Sequence, residues 1–251
     1  MRTRPHWAGE LLVVAFLLVI YDRVSGLAAL RAAAAFAHGR DLLGLSPFGI
    51  EKSADAWLAG ISWLRNPAAY YYDLAHVDLT LAVFLLCYVF RAPVYRRART
   101  ALMLVNLIGL GVFLLYPVAP PRLLPGGGFI DIVGESGTFG AGTDGGVALH
   151  ANAFGSMPSL HAAWAFWVAL TVMSMTTRRS LRVLGWTHVA LTLVVVIITG
   201  NHYLLDLVVG GLVLGFAWAV APLVALERWR WPYGGASGVP AMAPEHAAAV
   251  D

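Results

Sequence analysis

Six runs of apolar residues, near 7–22, 72–90, 101–117, 158–175, 183–200 and 203–224, constrain this chain more than any other feature. A helix that spans a bilayer needs about 20 mostly apolar residues, and inside hydrocarbon only helices and closed barrels satisfy their own backbone. The runs predict an all-α polytopic membrane bundle of six transmembrane helices. Composition sharpens the point. Hydrophobic residues make up 59% of the 251 residues and charged residues 12%, against about 45–50% and about 25% in soluble domains. Disorder, a coiled coil and an ordinary soluble globule are excluded. The formal net charge of +3 reports orientation in such a chain rather than nucleic-acid binding. Cys87 is the only cysteine, so neither an intramolecular disulfide nor a four-cysteine zinc site is open to it.

The first run follows Arg2 and Arg4, as a signal peptide would. Tyr21, Asp22 and Arg23 stand where a small-residue cleavage site belongs, so a retained helix is expected. Residues 27–45 and 50–65 are less apolar. The second of these sets Glu51, Lys52 and Asp55 against Trp57, Leu58, Ile61, Trp63 and Leu64. Both segments are read as amphipathic helices lying in the interface. Three parts follow: residues 1–69 with the first span and the interfacial helices, a catalytic membrane core at 70–226, and a disordered cytoplasmic tail at 227–251.

Orientation follows from arginine. Arg2 and Arg4, the group Arg91, Arg96, Arg97 and Arg99, the group Arg178, Arg179 and Arg182, and Arg228 with Arg230 all fall on one side of a six-span chain. The positive-inside rule places that side, and both termini, in the cytoplasm of a multi-pass cell-membrane protein. The first-to-second connection, with five basic residues, is the one departure.

Ionisable groups within membrane segments are functional candidates. The third span ends in Tyr116-Pro117-Val118-Ala119-Pro120-Pro121-Arg122. The fourth opens with Ser156-Met157-Pro158-Ser159-Leu160-His161, and the sixth with Asn201-His202-Tyr203-Leu204-Leu205-Asp206. The topology brings all three to the extracytoplasmic side. His202 and Asp206 are four apart and share a helix face. The carboxylate can hold one imidazole nitrogen and leave the other as a nucleophile. Pro158 suits a first helical turn, where Ser159 and open N–H groups face an anion. His161 is placed to protonate a leaving oxygen, and Arg122 to grip phosphate. Gly210, Gly211 and Gly215 allow close helix packing.

Pro158-Ser159-Leu160-His161 and His202-Tyr203-x-x-Asp206 with Gly210 resemble the second and third signature motifs of the type 2 phosphatidic acid phosphatase and haloperoxidase superfamily. The resemblance covers roughly residues 100–220. It implies a helical bundle in which His202 attacks phosphorus, Asp206 orients it and His161 protonates the leaving alcohol, with no metal and no cofactor. The first motif departs from the pattern. Leu115 stands at its lysine position, Leu123 replaces its proline, and Val196 occupies an arginine position of the third motif. Those departures, with the Tyr116–Pro121 run, look more like the inositol phosphorylceramide synthase branch.

The expected function is therefore a lipid phosphatase acting on a phosphoester or pyrophosphate at the extracytoplasmic face. The alternative is a phosphotransferase that moves a phosphoryl-bearing head group to a lipid or polyol hydroxyl. Membrane lipids and a lipid phosphate are its expected partners. His76 and Asp73 in the second span, His150 and Asn152 in the loop, and Asn201 and Tyr203 beside the third motif are candidates for substrate or acceptor binding. His188 receives no role. A transporter or assembly subunit with a phosphate pocket is the rival class, but neither the inverted repeats nor the paired broken helices of many transporters are found.

Overall fold

A computed structural model describes residues 5–136 and 152–224. Those residues fold into helices α1 (Trp7–Ala29), α2 (Ala32–Gly44), α3 (Ile50–Ala59), α4 (Ser62–Tyr70), α5 (His76–Phe90), α6 (Ala92–Leu115), α7 (Ile132–Glu135), α8 (Leu160–Met175), α9 (Arg179–Ile198) and α10 (Leu204–Val224). A π-turn over Tyr71–Ala75 joins α4 to α5 without a break. The expected all-α membrane bundle is observed. The expected tail and His150 lie outside the described residues.

Among the described residues five helical segments are long and apolar enough to cross a membrane: Trp7–Ala29, Ser62–Phe90, Pro93–Leu115, Arg179–Ile198 and Leu204–Val224. The expected fourth span is the apolar helix α8, which has 16 residues. Its brevity matches its place. It packs against α5, α6, α9 and α10, and Ala162, Ala163, Ala165 and Ala169 let its neighbours approach closely. Trp167 is fully buried in the largest core cluster, and its Nε1–H donates to the Ala98 carbonyl (2.7 Å).

Several boundaries differ from expectation: the first span runs to Ala29 rather than residue 22, and the third starts at Pro93 rather than residue 101. The second span starts at Ser62 rather than residue 72, because the helix continues through Arg65, Asn66 and Pro67, where hydropathy falls. Consequently residues 50–65 are not one interfacial helix. They break at Gly60–Ile61, and the second half belongs to the span.

Bonds between helix ends fix which ends share a side of the bundle. At one end the Arg91 Nε donates to the Met175 carbonyl (3.1 Å), and the Tyr88 hydroxyl donates to the Pro5 carbonyl (2.9 Å). Arg91, Arg178 and the first turns of α6 and α9, with Arg96, Arg97, Arg179 and Arg182, gather there. At the other end Val118 pairs with Gly155 in an isolated bridge, the Arg122 N–H donates to the Gly200 carbonyl (2.8 Å), and the Ser159 N–H donates to the Asp206 carbonyl (3.1 Å).

Helices α2 and α3 cover that second end. The Ala119 N–H donates to the Ala35 carbonyl (3.0 Å), and the His38 ring stacks on Tyr116 (3.8 Å). The buried Glu51 accepts from the Leu204 N–H (3.0 Å) and from the Ser46 hydroxyl. A carboxylate of α3 thus caps α10, where an open N–H and the helix dipole favour negative charge.

Candidate active site

His202 stands on a short turn between α9 and α10. The Val196 carbonyl accepts from both the Asn201 and the His202 N–H groups (3.2 Å each), and Gly200 makes the bend with φ +62°. Val196 therefore serves this turn through its backbone, while its side chain is buried.

Asp206 is fully buried. Its Oδ2 accepts from the Tyr203 N–H (3.0 Å), from His202 Nδ1 (3.3 Å) and from the Ser156 hydroxyl. A carboxylate held this way accepts only, so Nδ1 of His202 carries a proton and Nε2 presents its lone pair. That lone pair faces Nδ1 of His161 at 3.3 Å. His161 in turn lies against Tyr72 (ring centroids 4.4 Å) and His76 (4.0 Å). His161, His202 and Asp206 form one contiguous chain, drawn from α8, the turn and α10.

Ser159 is the N-cap of α8. It is fully buried and its hydroxyl accepts from the Ala162 N–H (3.2 Å). Its carbonyl presses on α10 so closely that a Cβ on Gly210 would lie 2.4 Å from it. Gly210 is thus the glycine of the sixth span that sets the approach. A Cβ on Gly211 would make ordinary contacts, and one on Gly215 would meet nothing within 4 Å.

Arg122 reaches the same turn. Its Nε donates to Asn201 Oδ1 (2.7 Å), and its Nη1 to both oxygens of Asp131 (2.7 and 2.8 Å). Asp131 also caps α7 by accepting from the Gly134 N–H (2.8 Å). The guanidinium is therefore aimed and partly neutralised at once. Asp55 backs this loop. Its Oδ2 accepts from the Ile130 N–H (2.9 Å), and Oδ1 has no hydrogen-bond partner among the described residues. Burial pushes its carboxyl above the ordinary range, the Ile130 bond opposes this, and the Asp131 charge adds to it.

The remaining candidates divide. His76 is at the site. Asp73 is half-buried in the π-turn one turn ahead of it. Asn201 orients Arg122 and is itself held by Thr199 Oγ1 (2.9 Å). Tyr203 sends its hydroxyl to the Ala119 carbonyl (2.8 Å), and Asn152 receives the Phe154 N–H and donates its own N–H to Tyr21 (3.1 Å). Both are bonded to backbone or to α1. Sequence reading missed Ser156, Tyr72, Glu51 and Asp131. Ser156 lay beside the second motif, but nothing in spacing linked it to Asp206.

A model of the PAP2 superfamily matches residues 45–220, which takes in α3 and α4 as well as the spans that follow. The chain belongs to the PAP2 superfamily. No curated protein and no solved structure matches it.

Proposed function

We propose that this chain is a membrane-embedded lipid phosphatase whose nucleophile is His202. Phosphatase-type or phosphotransferase activity is what its superfamily performs in general. The observation that carries the finer reading is the position of His202, with Nδ1 on Asp206 and Nε2 on His161.

Nε2 attacks phosphorus, and the bond to the lipid oxygen breaks. His161 gives a proton to that oxygen, so an alcohol leaves rather than an alkoxide. Asp206 stabilises the positive charge that forms on His202. In the second half, an acceptor oxygen attacks phosphorus, its proton passes to His161, and the N–P electron pair returns to Nε2. Water as acceptor yields phosphate. Arg122 binds phosphoryl oxygens from beside Asn201, and Ser159 contributes from the start of α8. Arginine at one end of the bundle and the site at the other support an extracytoplasmic active site, with residues 5 and 224 toward the cytoplasm.

A lipid or polyol hydroxyl as acceptor makes the same site a phosphotransferase of the inositol phosphorylceramide synthase kind. The Tyr116–Pro121 run, Leu115 and Val196 favour that second reading. A panel of lipid phosphates, assayed for free phosphate and for transferred product with and without polyols, separates the two. Release of phosphate alone supports the phosphatase; product formed only with an added hydroxyl compound supports the transferase. Neither product from any lipid, with the protein folded, contradicts both.

A further inference from the structure

We infer that His76 is a positioning residue for the catalytic acid, which it acts on through the imidazole ring of His161. This rests on the reading of His161 as the acid in the proposed function.

A π-turn pairs a carbonyl with the N–H five residues on rather than four, and single π-turns inside α-helices recur at functional sites. Changing the pairing for one turn leaves a carbonyl short of its usual partner. The turn over Tyr71–Ala75 is such a place, and the Tyr72 carbonyl lies in it. His76 Nδ1 sits 2.9 Å from that carbonyl. A carbonyl only accepts, so Nδ1 is the donor and the ring plane of His76 is fixed.

The fixed ring has one use in view. It lies 4.0 Å from the His161 ring and 5.6 Å from the Trp164 ring one turn further along α8. Tyr72, one turn before it, lies nearly parallel to His161 at 4.4 Å and 19°. Two rings of one helix therefore hold the imidazole of another. What they hold is the orientation that points His161 Nδ1 at His202 Nε2. An acid that is free to turn spends little time aligned with the leaving oxygen, and small misplacements carry large rate costs.

Leaving-group chemistry tests this. An alkyl lipid phosphate needs a proton as its alcohol departs, whereas a p-nitrophenyl phosphate ester leaves as a stable anion. Because His161 also serves the second half-reaction, the first is read alone, as the pre-steady-state burst of alcohol or nitrophenol. His161→Ala should slow that burst about 100-fold or more on the alkyl substrate and far less on the nitrophenyl one. His76→Ala should copy that signature in weaker form: a burst slower by about tenfold on the alkyl substrate and within about twofold on the nitrophenyl ester, with half-saturation unchanged. His76→Phe keeps a ring against His161 but loses the bond to the Tyr72 carbonyl, and should recover part of the loss. Equal slowing on both substrates, an effect confined to half-saturation, or no slowing at all would overturn the inference. If His161→Ala itself lacked leaving-group dependence, the acid assignment would fail, and the role of His76 with it. The nitrophenol burst reports in every variant that the site is folded.

Discussion

Ser156 and Asp206 meet in the core across 50 residues of sequence, the hydroxyl donating to the oxygen that also holds the His202 imidazole. This bond ties the loop before α8 to the first turn of α10 and makes the buried Asp206 carboxylate part of the packing. Asp206→Asn should lower kcat by about 10³–10⁴, because the amide favours the wrong tautomer of His202. Ser156→Ala should lose about ten- to a hundredfold, as expected for one hydrogen bond to a charged group. Steady-state rates on a lipid phosphate check both. Near-wild-type turnover in Asp206→Asn would remove the carboxylate from the mechanism.

Close approach at Gly210 makes a second prediction. A Cβ there would stand 2.4 Å from the Ser159 carbonyl, so Gly210→Ala must push α10 away from the start of α8. It should destabilise by about 1–3 kcal/mol and reduce turnover further by separating Asp206 from Ser156. Gly215→Ala meets nothing within 4 Å and should be silent. Thermal melting in detergent compares the two; equal behaviour would contradict the packing described.

The Arg122 guanidinium is shared between Asn201 and Asp131. Vanadate, which takes the trigonal bipyramidal geometry of phosphoryl transfer, should inhibit less well in Arg122→Lys and least in Arg122→Ala, because lysine lacks the planar fork. Asp131 competes for the same cation but is partly exposed, so Asp131→Asn should tighten vanadate binding only modestly, by about threefold. Inhibition constants measured side by side decide; an unchanged constant in Arg122→Ala would take this residue out of the anion site.

Asp55 gives a pH prediction. Burial raises its carboxyl, so the folded protein resists its ionisation. The stability linked to this group is fully present below the unfolded pKa and is lost as pH rises through the folded one. At pH 7 the charged form is a cost, which Asp55→Asn removes while keeping an oxygen for the Ile130 N–H. The variant should melt above wild type at pH 7, with the difference vanishing as pH falls below the unfolded carboxyl value of about 3.9. A lower melting temperature at pH 7 would show that Asp55 acts instead through a charge the fold requires.

Sidedness can be read with single cysteines in a Cys87→Ala background. Pro125→Cys, exposed in the loop at the catalytic end, should react with an impermeant reagent added to whole cells. Arg179→Cys, exposed at the arginine-rich end, should react only after permeabilisation. The reverse pattern would turn the protein over.

What the sequence made legible follows physical range. The apolar runs announced the bundle, and His161, His202 and Asp206 were visible because a helix start and an i,i+4 spacing are local. The Glu51 cap on Leu204 joins groups 153 residues apart, and no periodicity reports it. The start of the second span was hidden because Arg65, Asn66 and Pro67 interrupt hydropathy without ending the helix. The π-turn that brings Tyr72 and His76 to His161 has no sequence period of its own. Arg122 stood out at the end of the third span, but Asp131, which pairs with it, looked like one more acidic residue in a glycine-rich loop.

The central claim is a covalent phosphoryl group on His202, and rapid-quench single turnover with a phosphorus-labelled lipid tests it most directly. A phosphohistidine gives a transient protein-bound label, labile to acid and stable to alkali, on the peptide containing His202. It should be absent in His202→Ala, whose turnover should fall below about a thousandth of wild type. Label on any other residue, or a His202→Ala protein that turns over above that level, would contradict it.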